Sequence, residues 1–205
     1  MGCNMKASNF LVGVFCLLLL FAACENNSPK QAKVAEEKVV VLSLRESADS
    51  VMRSLKRSDM AALTPWMSPQ GSILFSPYSY VDTVQARRLT AQDFSDFFGD
   101  TTQVQWGQYD GSGLPILLSP GEYYKTFIYN QAYAEADSVF ENKSIQRGNS
   151  LDNLATVFPG NEHVEYFVSG DPKYAGLGWG SLTLVFRKEG NRYFLVGVVN
   201  NRWTI

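Results

Sequence analysis

All 3 cysteines of this chain fall within its first 24 positions, at Cys3, Cys16 and Cys24. From residue 25 onward there is no thiol. Whatever that part folds into is held by burial and hydrogen bonding, without a disulfide, a thiolate metal site or a cysteine nucleophile. The chain also has 1 histidine, His163, which excludes a multi-histidine metal centre. With 205 residues, 45% of them hydrophobic and 19% charged, it has the material for one domain with a real core. A formal net charge of -2, with no Lys/Arg run longer than two residues, gives no footing for a nucleic-acid surface.

The first two dozen residues read as a secretion leader. A polar start carrying Lys6 leads into the apolar run Phe10 to Phe21 (FLVGVFCLLLLF), then Ala22, Ala23 and Cys24. A dozen residues make about 18 Å of helix, short of the roughly 30 Å a bilayer core requires. The stretch FAAC resembles the bacterial lipobox, which implies cleavage of residues 1–23 and lipidation of Cys24 as the first mature residue. An ordinary signal that happens to end at a cysteine is the rival reading. Met1-Gly2-Cys3 does not fit a myristoylation motif, because Lys6 stands where Ser or Thr is wanted. Residues 24–38 are polar and read as a tether of at most ~50 Å. The exported domain is then 39–205, and the implied location is the cell envelope, at the outer membrane where the cell has one.

Within 39–205 the local signals are strong at helix starts. Ser43 with Glu46, Thr90 with Asp93, and Ser119 with Glu122 each have capping-box spacing, and Pro120 occupies a first helical position. Leu44, Ala48, Val51 and Leu55 share one face of the helix after Ser43. Ser58-Asp59 predicts a short second helix stopped by Pro65 and Pro69. The helix after Thr90 is expected to exit at Gly99 in the left-handed conformation. Gly71 to Val81 reads as an edge or bulged strand interrupted by Pro77. Thr101 to Tyr109 and Leu114 to Leu118 flank a turn at Asp110-Gly111-Ser112-Gly113. Residues 141–162 read as a lid-like loop. Strands at 163–168, 181–188 and 192–205 close the chain, the last two joined through Glu189-Gly190-Asn191. In that pair Leu182, Leu184 and Phe186 are expected opposite Tyr193, Leu195 and Gly197. Helices first and a strand meander last predict an α+β fold.

This order of elements resembles the nuclear transport factor two-like superfamily. The segments GSILFSPYSYV, VQWGQYDGSGLPILLSPGEYYKTFIY and GWGSLTLVFRKEGNRYFLVGVVNNRWTI are similar to those of uncharacterised exported bacterial lipoproteins. The superfamily resemblance implies a curved antiparallel sheet packed on the N-terminal helix, forming a cone whose pocket serves enzymes and binding modules alike.

The chemistry on offer is sparse. His163 and Glu165 share a strand face at a spacing of two and make one acid–base pair to consider; the plainer reading leaves His163 in solvent at a strand start. Asp82 and Asp110 are further acid candidates, and both suit turns. Polar-tipped rings are the better signal. Tyr80, Trp106, Tyr109, Tyr124 and Tyr166 are the expected lining of a ligand pocket, with ordinary core packing as the alternative. Gly176 to Gly180 lacks the dinucleotide spacing, and Leu114 and Ile116 stand where a calcium loop needs oxygen. The expectation is a non-catalytic module binding a small apolar ligand or a protein partner, with no cofactor and no metal. A cofactor-independent acid–base enzyme and a structural envelope component are the alternatives.

The leader reading has a direct check. Cys24→Ser is expected to abolish fatty-acid labelling in a bacterial host, leaving an uncleaved or soluble species. Equal label on both forms would defeat it.

Overall fold

Three side-chain brackets start the helices where the sequence places them. In the computed structural model, which describes residues 41–143, 145, 147 and 151–203, Ser43 caps helix α1 (Leu44–Lys56). Its hydroxyl accepts from the Glu46 N–H at 3.2 Å, and its own N–H donates to Glu46 Oε2 at 2.8 Å. That backbone donor and then the hydroxyl hold the Glu46 carboxyl below its usual range. The same bracket opens α2 (Ala91–Phe94) at Thr90 and Asp93, and α3 (Pro120–Tyr123) at Ser119 and Glu122. The leader, Cys24 and the tether lie outside the described residues.

The architecture is α+β: a large, open, mostly antiparallel sheet with a few short helices. The strands are β1 (Ile73–Ser76), β2 (Arg87–Leu89), β3 (Val104–Gln108), β4 (Pro115–Leu118), β5 (Ser138–Glu141), β6 (Glu162–Val168), β7 (Gly180–Glu189) and β8 (Arg192–Arg202). Six of them form one sheet in the order β2-β1-β8-β7-β6-β5, while β3 and β4 pair as a separate hairpin. All neighbours in the sheet are antiparallel except β1 and β8.

Several expectations change. β1 is an interior strand, paired with β2 on one side and β8 on the other; Pro77, lacking an N–H, stops it at Ser76 rather than interrupting it. The second helix is a 3-10 turn, Ala61–Trp66, that runs through Pro65, and Asp59 accepts from the Ala62 N–H at 3.1 Å. Gly99 is not left-handed; the N–H groups of Gly99 and Asp100 both return to the Asp96 carbonyl, at 3.1 and 2.9 Å. The stretch expected to be a lid contributes Glu141 to β5, a helical turn α4 (Leu154–Val157), and the start of β6.

A β-bulge corrects the expected register of β7 and β8. Val185 pairs with Gly197 and Phe186 with Leu195, so Val196 is the extra residue. Leu195 and Val198 therefore join Leu182, Leu184 and Phe186 in one apolar cluster, together with Leu44, Ala48, Val51 and Leu55 of α1. Gly197 falls on the other side. A β-carbon there would sit 2.7 Å from the Phe158 ring, and Phe158 with Leu154 belongs to a second cluster with Leu74, Val185 and Val199. Both faces of the central strands are thus covered.

Leu55 and Leu184 have no exposed surface. Truncating either to Ala is expected to cost about 2–5 kcal/mol in urea unfolding, the range for buried leucine. Losses within about 0.5 kcal/mol for both would show that neither is core.

Candidate functional site

A cleft of about 800 Å³ opens at the end of the sheet where the parallel strands β1 and β8 both finish and β7 begins. Its walls come from the loop after β1, the turn of the β3–β4 hairpin, Trp179 just before β7, and Asn201 to Trp203 at the end of β8. The loop after β1 is braced on itself. Ser76 Oγ donates to the Tyr78 carbonyl at 2.8 Å, and Asn153 grips the Val81 peptide from both sides, at 2.8 and 3.1 Å. Gln105 of the hairpin reaches Gln85 of the loop at 3.2 Å. The hairpin approaches Pro77 through Gly107, whose φ of +125° is open only to glycine without strain. The Trp203 N–H donates to the Trp179 carbonyl at 3.1 Å, fixing those two rings' backbones to each other.

Of the five rings expected to line a pocket, Tyr80, Trp106 and Tyr109 do line this cleft. Tyr80 is 57% and Tyr109 36% exposed, whereas Trp106 is buried, stacked on Tyr123 with centroids 3.9 Å apart. Tyr124 and Tyr166 are not among the lining residues. Tyr124 is buried at the base of the π-helical turn Tyr124–Ile128, donating to the Leu55 carbonyl and accepting from Ser58 Oγ. Tyr166 lies on the α1 side of β6, its hydroxyl 2.7 Å from Asp49 Oδ1; burial and then the Asp49 carboxylate push its ionisation well up. The reason is strand alternation: Tyr166 necessarily faces away from Glu165. Tyr78, Trp179 and Trp203, which belong to the same wider group of polar-tipped rings, also line the cleft, together with Arg147 and Arg202, which carry no such signal in the sequence.

The acid candidates divide the same way. Asp82 serves its own turn, accepting from the Val84 and Gln85 N–H groups at 2.9 and 3.3 Å and from Gln85 Nε2 at 2.8 Å. Asp110 accepts from the Gly111 N–H at 3.0 Å in the hairpin turn. His163 and Glu165 do meet, as their spacing predicts, in a small cavity of about 40 Å³ beside the cleft. The expectation that His163 faces solvent is corrected: its Nε2 is buried, with no hydrogen-bond partner among the described residues. Glu165 is taken up by Arg147, whose two guanidinium nitrogens reach its two carboxylate oxygens. The side chains of that pair are 12% and 7% exposed, and the guanidinium also lies 4.0 Å above the Phe167 ring. Arg147, Ser79 and Asn201 border both the cavity and the cleft.

Among the described residues no cluster of three or more His, Cys, Asp or Glu is placed to hold a metal, and no helix is long and apolar enough to cross a membrane.

No protein-family model and no curated protein matches the chain. Among solved structures it is similar to a crystal structure of a DUF4783 family protein from Bacteroides ovatus, at 9% identity and a TM-score of 0.35, over 76% of this chain and 94% of that one.

The Arg147–Glu165 pair can be tested as a buried ion pair. Glu165→Leu alone is expected to cost about 3–5 kcal/mol, because it strips a buried guanidinium of its carboxylate. Adding Arg147→Met should return most of that loss. Equal, additive losses in a double-mutant cycle of urea denaturations would mean the two charges do not act as a pair.

Proposed function

We propose that this protein is a bacterial envelope lipoprotein, held at the membrane by lipid on Cys24, whose exported domain is a non-catalytic binding module. In this reading residues 1–23 are the signal, 24–38 the tether and 39–205 the domain. The aromatic cleft is the binding site, and it carries the proposal. It is concave, large enough for a small-molecule ligand, and lined by rings with a few convergent polar groups. The lining moves the expected ligand from a purely apolar compound toward one that pairs an apolar face with hydrogen-bonding groups. A protein segment presenting such a surface is the other occupant considered. No cofactor is needed.

The superfamily resemblance belongs to the same proposal, with the sheet curved over α1. Two observations support it: α1 shares its apolar cluster with β6, β7 and β8, and Tyr166 of β6 is bonded to Asp49 of α1. The α1 side is filled by the protein's own side chains, Tyr133, Tyr166 and Phe186 among them, so the ligand site is the cleft at the sheet end rather than the interior of a cone.

The enzyme reading keeps one observation in its favour, the unpartnered Nε2 of His163. Against it, the cavity at His163 has room for a water or two but not for a substrate, and Glu165 is already engaged by Arg147.

The test is a titration of residues 39–205, first checked for a folded far-UV spectrum, with small molecules of graded polarity, read by tryptophan fluorescence. Trp203→Ala is expected to weaken the bound compound more than about tenfold, and His163→Ala less than about threefold, under ~1 kcal/mol. A His163 variant that binds a compound but no longer turns it over would make the protein an enzyme.

A further inference from the structure

The aromatic residues of this chain are not distributed at random with respect to the cleft. The sequence has 13 Phe, 10 Tyr and 4 Trp. No phenylalanine among the described residues lines the cleft, yet Trp106, Trp179 and Trp203, three of the four tryptophans, do, with Tyr78, Tyr80 and Tyr109. Phenylalanine would serve equally if the wall had only to be apolar. A wall restricted to rings that end in O–H or N–H presents flat apolar faces and hydrogen-bonding tips together.

Five of those six tips are not consumed by the fold; the exception is Trp106, whose N–H donates to the Leu118 carbonyl at 2.9 Å. Five of the seven tyrosines elsewhere are tied down: Tyr124 donates to the Leu55 carbonyl, Tyr133 donates to Asn130, Tyr166 bonds Asp49, Tyr193 bonds Glu162, and Tyr129 accepts from the Ala134 N–H. The hydroxyls of Tyr78, Tyr80 and Tyr109, and the indole N–H groups of Trp179 and Trp203, have no hydrogen-bond partner among the described residues. Planar polar groups also line the cleft, from Gln108, Asn201 and Arg202. An amide or guanidinium offers two adjacent hydrogen-bonding positions in one plane, the match for two neighbouring hydroxyls.

Charge and shape narrow the ligand further. Two carboxylates, Asp82 and Asp110, and two guanidinium groups, Arg147 and Arg202, border the cleft. Both arginines are engaged: Arg147 pairs with Glu165, and Arg202 donates to the Thr126 carbonyl at 3.0 Å while lying 4.4 Å from the Phe127 ring centre. With Arg147 cancelled by Glu165, Arg202 faces Asp82 and Asp110, an excess of one negative charge that disfavours an anionic ligand. Leu151 is its only branched aliphatic side chain among the described residues, which is poor lining for an acyl chain. The most exposed rings, Tyr80, Tyr109 and Trp203, stand at 57%, 36% and 39% exposure, open for a ligand to lie across.

From this lining we infer that the cleft binds a neutral saccharide. A pyranose ring has a face of C–H bonds that stacks on an aromatic ring and a rim of hydroxyls that takes paired hydrogen bonds. It is uncharged and has no long aliphatic part. Trp203 and Tyr80 are the stacking platforms, and Asn201 and Arg202 read the hydroxyl rim. The inference rests on the binding-module reading and adds the ligand class to it.

The experiment applies the full chain, in a detergent without a sugar headgroup, to a glycan array. Any hit is then titrated by tryptophan fluorescence, beside adenosine as a neutral planar ring and palmitate as an aliphatic chain. The expected result is a group of structurally related glycans that bind, with Trp203→Ala and Tyr80→Ala each weakening binding at least about tenfold. Trp203→Phe, which keeps the stacking face, should stay within about fivefold; both positions are exposed, and an unchanged far-UV spectrum and urea midpoint confirm folding. Adenosine or palmitate bound in the absence of any glycan hit would overturn the saccharide while leaving a binding module. No bound compound in any arm would overturn both. Glycan binding indifferent to Trp203→Ala and Tyr80→Ala would remove it from this cleft.

Discussion

Pairing between β7 and β8 runs the full length of β7, from Gly180 opposite Arg202 to Glu189 opposite Arg192, and the rest of the sheet is positioned from it. β6 docks on one side of the pair and β1 on the other, each bringing its own outer neighbour. Long antiparallel ladders satisfy backbone groups that burial would otherwise leave unpaired at a cost of about 1–3 kcal/mol each. The bulge at Val196 then sets which residues meet which layer. Without it Leu195 and Val198 would point to opposite faces; with it both join the cluster that includes α1, and Gly197 leaves room for Phe158. One extra residue thus lets one strand serve two cores.

The cleft follows from where that pairing ends. β1 stops at Ser76 because Pro77 has no N–H to contribute, and β8 continues past it to Arg202. On the β1 side the end of β8 and the loop after Pro77 are left without a further strand beside them, while the start of β7 stays paired with β6. The β3–β4 hairpin, a separate sheet, closes one wall through Gly107. A site at strand ends has a rigid floor and walls of loop, so the rings keep their spacing while the rim can differ in composition without disturbing the core.

Much of the fold was legible because its signals are local. Ser43 with Glu46, Thr90 with Asp93 and Ser119 with Glu122 form the capping boxes their spacing predicts, and the turn at Asp110 to Gly113 joins β3 to β4. What escaped is long-range. β2 is only Arg87–Leu89 and β5 only Ser138–Glu141, too short to show a period, and both become strands because a partner is already in place. The parallel match of β1 to β8 joins segments more than a hundred residues apart. At the site, Tyr80, Trp106 and Tyr109 were recognisable as polar-tipped rings. Tyr124 and Tyr166 carry the same chemical signal, and only their neighbours, Leu55, Ser58 and Asp49, show that the fold has used it.

That last distinction is the physical criterion that separates packing from function here. A buried phenol must find a partner inside the protein, since an unmade hydrogen bond in the interior is costly. Tyr133, which burial keeps from ionising, satisfies the requirement with Asn130 and Asn200. A ring whose tip is left to solvent bears no such cost while water is present, but it gains no stability from the fold either. Five polar-tipped rings whose tips the fold leaves unused, Tyr78, Tyr80, Tyr109, Trp179 and Trp203, gathered at the end of one sheet where phenylalanine would pack as well, are therefore not explained by folding, whereas Trp106 spends its N–H on the Leu118 carbonyl. Arg147 supports the same division. By pairing with Glu165 across the cavity at His163, it withdraws one positive charge from the border of the cleft, which leaves an anionic ligand less to bind. In the proposed binding module, recognition then rests on ring faces and hydrogen bonds more than on attraction of an anion.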